Sequence, residues 1–197
     1  MSLILASSSP MRLHLLQAAG VRVIAQPARI DEQAIRTTLL AEGASPRDIA
    51  DALAEMKARK IAERTPEAYV LGCDQVLDLH GQTFAKPETP DDARAHLRSL
   101  RGQTHTLHSA AVLYHQATPI WRTIGQVRLS MRPISDAYLD DYVTRNWDSI
   151  RHSVGAYLIE AEGVRLFSAI DGCHFNVLGL PLLPLLGYLG TRGIIPT

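Results

Sequence analysis

The chain has 197 residues, 46% of them apolar, and its 20 Lys+Arg are balanced by 20 Asp+Glu. That size and apolar share suffice to bury a sizeable core. The zero net charge argues against a general nucleic-acid binder, which needs many phosphate-neutralising cations, yet leaves room for a local cluster that holds a small anion. The two cysteines, Cys73 and Cys173, make neither a CxxC pair nor a disulfide framework. No basic-then-apolar leader pattern opens the chain, and the apolar stretch 177–189 is interrupted by Gly179, Pro181, Pro184 and Gly187. It is too short and too broken to span a bilayer, so the expected location is the cytoplasm.

Residues 3–6 (LILA) read as a short buried strand, 7–9 (SSS) as a turn, and Ser9-Pro10 as the N-cap and first position of a helix. That helix carries Leu13, Leu16 and Ala19 on its apolar side and stops at Gly20. Residues 21–25 read as a second strand, followed by a polar segment with Asp31 and Glu32. Ser45-Pro46 repeats the capping signal and opens a helix with the stripe Ile49, Leu53, Met56 and Lys60, Lys57 lying at its edge. Residues 69–72 (YVLG) read as a strand that ends in Asp74. The alternation Leu77-Asp78-Leu79 and the pair His80-Gly81 indicate a hairpin. Thr89-Pro90-Asp91-Asp92 opens a helix with acids in its first turn, Ala93, Leu97 and Leu100 facing inward and Gly102 ending it. Two long strands are expected at 104–115 and 120–132, then a helix at 135–146 with Tyr138, Leu139, Tyr142 and Val143 on one side. A hairpin of 154–160 with 164–170 and a helix at 182–189 close the chain. Neither repeats nor linkers interrupt it. It reads as a single domain, 1–197, of the α/β class with a mixed sheet.

A serine-rich turn between a strand and a helix N-terminus offers hydroxyls, backbone N–H groups and the positive end of a helix dipole, which together suit an anion. Arg12, in the first helical turn, can fork onto a phosphate. Ser7 and Ser9 serve equally well as turn and cap residues with Arg12 solvated, and the segment alone leaves both readings open. It is no Walker loop, since GxxxxGK[ST] is missing. Asp74, at the end of its strand, stands where α/β ligand clefts usually open. It either holds a divalent cation or takes a proton from water, or it simply caps the next turn. Lys86 precedes Pro87 and is held in an extended loop, facing a phosphate or solvent. Glu32 and Lys57 have the same standing. His105 and His108 are three apart in a strand and face opposite sides. With neither HExxH nor GxSxG present, the histidines define no metal site and no covalent nucleophile stands out.

The order of motifs is recognisable: LILASSSPMR at 3–12, Asp31-Glu32, LAEMKA at 53–58, LGCDQV at 71–76, AKP at 85–87, LRSLRGQTH at 97–105, VGAYLIE at 154–160 and NVLGLPL at 176–182. Over essentially its whole length the chain resembles the Maf family of nucleotide pyrophosphatases. The resemblance implies an α/β fold on a mixed, twisted sheet flanked by helices, with two lobes around a deep cleft. Inosine-triphosphate-type house-cleaning enzymes share that architecture, although their motifs fit this chain less well. It implies hydrolysis of a nucleoside triphosphate between the α and β phosphates, giving a monophosphate and pyrophosphate, with Mg²⁺ or Mn²⁺ as cofactor. By position it implies Asp74 as general base or water-orienting group and Glu32 as a metal or water ligand, the two acids forming the metal site. It implies Arg12, Lys57 and Lys86 as phosphate-handling cations and Ser7 and Ser9 as the serine loop. The implied partner is the nucleoside triphosphate, with neither a nucleic acid polymer nor a membrane involved, and a two-fold homodimer is the default assembly. A different role attached to the family name is a nucleotide-binding regulator of cell division and septum formation without turnover. Retention of both acids beside the cations favours the enzyme.

The larger branch of the family, acting on dTTP and UTP, carries SPRR where this chain has Ser9-Pro10-Met11-Arg12. It has Asp-Thr in place of Asp74-Gln75, Asp-Lys-Ala-Gly in place of His152-Ser153-Val154-Gly155, and Gln in place of Glu160. A smaller branch, active on 7-methyl-GTP, has an aromatic at 11, Gln at 75, His at 152 and Glu at 160. The resemblance therefore leans to that branch and makes Met11, Gln75 and Glu160 the specificity positions. A carboxylate at 160 accepts hydrogen bonds from the N1–H and exocyclic amine of guanine, but meets one N–H and two repelling carbonyls on uracil or thymine. Glu160 also reads as an exposed strand residue. Met11 departs from the branch: an aromatic stacks on a cationic base, whereas Met gives a polarisable contact or packs beside Leu13.

Overall fold

The computed structural model describes residues 3–196. In chain order it contains β1 (Leu3–Leu5), α1 (Pro10–Ala18), β2 (Val23–Ala25), α2 (Glu32–Ala41), α3 (Pro46–Ala62), β3 (Tyr69–Leu79), β4 (Gln82–Phe84), α4 (Pro90–Leu100), β5 (Thr104–His115), β6 (Thr118–Met131), α5 (Asp136–Ile150), β7 (Phe167–Gly172), α6 (His174–Val177) and α7 (Leu182–Thr191). Among the described residues the strands form one seven-stranded sheet in the order β2-β1-β3-β5-β6-β7, with β4 added on β3. The sheet is mixed. β1 runs parallel to β2 and β3, and β3–β4 and β6–β7 are antiparallel. The chain is thus α/β, as expected. No helix among the described residues is long and apolar enough to cross a membrane.

Two compact units can be distinguished. The first comprises the chain up to Gln75, Ser109–Gly125 and the chain from Cys173 onward; the second comprises Val76–His108 and Gln126–Gly172. In the first, strand alternation sends Leu3, Leu5, Leu71, Cys73, Ala111 and Leu113 to one face, where they pack with Leu15 and Leu16 of α1 and Leu182, Leu185 and Leu189 of α7. Burial of each such leucine contributes roughly 1.5–3 kcal/mol. The Ser9 hydroxyl accepts from the Arg12 N–H and Pro10 opens the helix, as the sequence predicts. Gly20 follows the helix at φ +76°, a left-handed position suited to glycine. The buried side of α1 runs through Leu15 and Leu16, however. Ala19 is already the C-cap, so it lies beyond the last turn that faces the sheet.

Three expectations for this unit are corrected. The polar segment at Asp31-Glu32 is the start of a helix: the Asp31 carboxylate caps α2 by accepting from the Ala34 N–H at 3.0 Å. None of the α2 residues is buried, so the helix carries no strong apolar stripe in its sequence. The buried face of α3 is Ile49, Ala50, Leu53, Ala54, Lys57, Ala58, Ile61 and Ala62. Lys57 is central to that face, while Met56 and Lys60 are only half-buried. Finally, β3 does not end at Asp74. It continues to Leu79 with Asp74 near its middle, because Gly72 marks a close helix contact and the charge of Asp74 is compensated within the fold.

In the second unit, the end of β3 turns into β4 through His80 and Gly81, both at positive φ. Leu77 pairs with Phe84 and Leu79 with Gln82. The Asp78 carboxylate accepts from the Gly81 N–H at 2.6 Å. Thr89 and Asp92 form a reciprocal capping box on α4, which packs against α5. Arg94, Arg98 and Arg101 are ion-paired to Asp136 or Asp140 of α5. The expected hairpin of 154–160 with 164–170 is replaced by 3-10 turns at Val154–Ala156 and Glu162–Leu166, and β7 starts at Phe167. The reason is local: Gly155 (φ +78°) and Ala156 (φ +59°) leave the extended region. Tyr157 then folds inward to stack edge-on against Phe167 and to hydrogen-bond with His105 at 2.7 Å.

Candidate active site

The site in the first unit begins with a contact of small residues. A side chain at Gly72 would collide with the Ala54 carbonyl oxygen and the Ala58 backbone nitrogen, so β3 and α3 approach backbone to backbone. Alternation along the strand puts Asp74 on the same face as Gly72. The helix places Lys57 between Ala54 and Ala58. The Lys57 ammonium therefore reaches Asp74 Oδ1 at 2.7 Å and Glu32 Oε1, at the start of α2, at 2.9 Å. The side chains of Lys57 and Asp74 are 9% and 6% exposed, against 47% for Glu32. One ammonium compensates two carboxylates, so the cluster remains net negative. Asp74 Oδ2 is buried and has no hydrogen-bond partner among the described residues. A buried acceptor left in this way is costly unless something else meets it.

Beside this cluster is the serine turn. Ser7, buried, accepts from the Ser9 N–H at 3.2 Å and from Arg12 Nη1 at 3.3 Å. Arg12 also donates from Nη1 to the Cys73 carbonyl at 2.9 Å and from Nε to the Gly179 carbonyl at 2.8 Å. Arg12 is thus engaged by the protein on its Nε and Nη1 side; it ties the turn to β3 one residue before Asp74. Its Nη2 makes no hydrogen bond among the described residues and remains available beside the helix N-terminus. The Cys73 thiol is buried, and desolvation pushes its pKa up to about 11, so it is an inert packing group.

Two residues of this network, Ser109 and Asn176, do not stand out from the sequence, and Gln75, expected there as a specificity position, joins them. Gln75 Nε2 donates to Ser109 Oγ (3.0 Å) and to the carbonyls of Asn176 (2.8 Å) and Val177 (3.1 Å). Ser109, fully buried, donates to the same Asn176 carbonyl at 2.7 Å. The Asn176 side chain lies so close over Gly125 that no Cβ fits there. Asn176 lies inside the NVLGLPL motif, which could have signalled it. Ser109 sits in a strand that also carries Thr104, Thr106 and Tyr114, where one more hydroxyl carries no such signal.

The structure thus brings Glu32, Lys57, Asp74, Gln75, Ser7, Ser9 and Arg12 into one unit. Met11 is in that unit too, but its side chain packs against the apolar core cluster beside Leu13. Lys86 and Glu160 belong to the second unit. Lys86 is exposed just after β4, and Glu160 is exposed in a turn between the two 3-10 segments, not in a strand. Nearby Glu162 is the engaged acid: Arg145, Asn146 and Tyr138 hydrogen-bond to it, and these contacts, Arg145 foremost, hold its pKa down to about 2. Among the described residues no group of three or more His, Cys, Asp and Glu gathers around a common point.

Fold and side chains together define an α/β protein with a lysine-bridged pair of carboxylates and an arginine-braced serine turn at a helix N-terminus. The model of the Maf-like protein family matches residues 2–192, and the chain belongs to that family. Among its relatives, a nucleoside triphosphate pyrophosphatase of Ruegeria pomeroyi is 60% identical over 195 residues, covering 99% of this chain and 98% of the other. A protein of the same name from Roseobacter denitrificans is 61% identical over 194 residues, 98% of each chain. A 7-methyl-GTP pyrophosphatase of Rhizobium etli is 45% identical over 193 residues, 98% of this chain and 97% of that one.

Proposed function

We propose that this chain hydrolyses a nucleoside triphosphate to the nucleoside monophosphate and pyrophosphate. The observation that carries the reading is the Lys57 ammonium held between Asp74 and Glu32, with Asp74 Oδ2 buried and unpartnered, in a member of the Maf-like family. Relatives that carry this activity in their names align with nearly the whole chain.

A triphosphate brings several negative charges, and attack by water needs them offset. In this reading the N-terminus of α1, Ser7, Ser9 and the open Nη2 edge of Arg12 take phosphate oxygens. Asp74 Oδ2 accepts a proton from the attacking water, and Lys57 compensates the charge on the other carboxylate oxygen. Bond formation at the α-phosphorus breaks the bond to the bridging oxygen, and the electron pair leaves with pyrophosphate. Asp74 and Glu32 also fit a divalent cation. They offer hard carboxylate oxygens, one of them an orphan. Two protein ligands suffice for Mg²⁺ or Mn²⁺, which usually keeps waters and takes further oxygens from substrate phosphates. When bound, the ion supplies charge neutralisation on the phosphates.

The base preference in this reading is for guanine, with 7-methyl-GTP as the lead substrate. Support comes from the exposed Glu160 carboxylate, which has no hydrogen bond among the described residues, and from relatives named for that substrate at 45% and 46% identity. The test is incubation with Mg²⁺ or Mn²⁺ and a panel of canonical and methylated triphosphates, with the products identified. Monophosphate plus pyrophosphate is expected. Orthophosphate release places the cleavage at another bond and overturns the reading. Tight binding without turnover replaces it with a nucleotide-binding regulator. Equal rates on UTP and 7-methyl-GTP remove the guanine preference alone.

A further inference from the structure

Along β3, Asp74 is flanked by Cys73 and Gln75; Gln75 bonds directly to the Asn176–Gly179 turn, and Cys73 is linked to it through Arg12. The Cys73 carbonyl accepts from Arg12, and Arg12 donates from Nε to the Gly179 carbonyl. The Gly179 N–H donates to the Asn176 carbonyl at 3.0 Å. That carbonyl also receives Gln75 Nε2 and Ser109 Oγ, so three donors converge on it. The hydrogen bonds close a ring that starts and ends beside Asp74. Gly179 occupies the left-handed region (φ +89°) and lies against the Arg12 guanidinium, so its carbonyl meets Nε in a conformation other residues rarely adopt.

Gln75 has two amide hydrogens and three acceptors around them. Its NH₂ is therefore consumed within the protein and is not free to donate to a nucleobase. Ser109 is fully buried, so its hydroxyl acts on its neighbours only. Both side chains grip the end of α6, whose following glycine fixes the arginine. We propose that Gln75 and Ser109 are positioning residues: they hold the Asn176–Gly179 turn so that its carbonyl orients Arg12, leaving the Nη2 edge to meet a phosphate oxyanion of the substrate. The identity of that anion rests on the pyrophosphatase reading. The ring itself does not.

The test uses Ser109→Ala, which deletes one hydroxyl, and Gln75→Met, which keeps the side-chain volume. Each is made alone and together with Arg12→Ala. Turnover is measured on GTP, 7-methyl-GTP, UTP and dTTP, and binding of inorganic tripolyphosphate by calorimetry. A guanidinium displaced by about an ångström costs roughly 10- to 100-fold. Each single variant should lose about that much in kcat/KM, equally for all four bases, and should weaken tripolyphosphate binding in step. With Arg12 already removed, the same substitution should cost less than about threefold, since a group acting through Arg12 has nothing left to place. A loss that depends on the base makes Gln75 a base reader and overturns the proposal. So does an undiminished loss in the Arg12→Ala background, or full activity and binding in both single variants. Tripolyphosphate binding needs no turnover. A wild-type chain that binds it but hydrolyses no nucleotide would defeat the pyrophosphatase reading and leave this one to be judged by the binding arm. If Gln75→Met does not fold, Ser109→Ala carries the comparison.

Discussion

Gly72 of β3 and Ala54 of α3 meet through their backbones, with no room for a methyl group between them. The ion pair one step along the strand depends on this contact, because it sets the depth at which Lys57 enters. Gly72→Ala should therefore destabilise the chain by roughly 3 kcal/mol, the upper part of the usual range for overpacking, as the helix backbone has to shift. Urea denaturation reads the loss. Whatever protein still folds should be at least about 100-fold less active, since the displaced helix carries Lys57 with it. Wild-type stability in this variant would show that the contact is slack.

The two ends of the buried pair should respond differently to removal. Lys57→Met strands the Asp74 carboxylate in the interior, which costs about 3–5 kcal/mol when one partner of a buried pair is deleted. Asp74→Asn keeps an acceptor for Lys57, and the ammonium retains Glu32, so the expected cost is only about 1–2 kcal/mol. Activity should fall in the Asn variant by on the order of 10²- to 10⁴-fold, the usual contribution of a general base. Parallel denaturation curves and single-turnover rates make the comparison. A fully active Asp74→Asn enzyme would remove Asp74 from the chemistry.

Glu160 is exposed, so its replacement should leave folding alone. Glu160→Gln is expected to keep the wild-type melting temperature and to change the ratio of rates on 7-methyl-GTP and UTP by roughly 10- to 200-fold toward UTP. Competition between the two substrates in one tube measures that ratio directly. An unchanged ratio would mean that the base is read elsewhere.

His105 gives the second unit a defined acid sensitivity. Burial among Tyr157 and Phe167 lowers its pKa from 6.5 to about 4, because the imidazolium is poorly solvated there. The unfolded chain therefore binds this proton more readily than the folded one. The stabilisation is complete above pH 6.5 and is lost as the pH falls from there toward 4, reaching about 3 kcal/mol from this one group. The His105 ring resonances should not titrate between pH 8 and 5. Wild type should also lose stability more steeply than His105→Gln over the acid part of that range. A His105 that titrates near pH 6.5 contradicts this.

The chain's own wording explains which features were legible. Caps and turns carry local chemistry, so Ser9-Pro10, Ser45-Pro46, Thr89-Pro90 and His80-Gly81 marked their elements correctly. Features that depend on distant partners did not show. Lys57 looked like a solvated edge because a lysine reads as polar until a buried carboxylate is known to face it. Gly72 and Asp74 looked like the end of a strand, whereas the first is a packing contact and the second a compensated charge. The alternation at 154–160 imitated a strand, and only the backbone at Gly155 and Ala156 reveals the turn. Motif order, not local chemistry, is what singles out Arg12, Lys57, Asp74 and Glu32 in the sequence. The ring through Gln75, Ser109 and Asn176 needs coordinates, since its bonds join positions up to 167 residues apart, mostly through backbone carbonyls that carry no residue-type signature.

The two carboxylates on Lys57 are mounted very differently. Asp74 sits inside an eleven-residue strand of the core, whereas Glu32 begins a helix with no buried residue. Amides of α2 should exchange with solvent through inexpensive local openings, while those around Asp74 wait for far larger unfolding events. Each opening of α2 lifts Glu32 from the ammonium and leaves the Lys57–Asp74 bond in place. The acid pair should therefore have one member held as long as the core strand holds and one whose contact follows the local stability of α2.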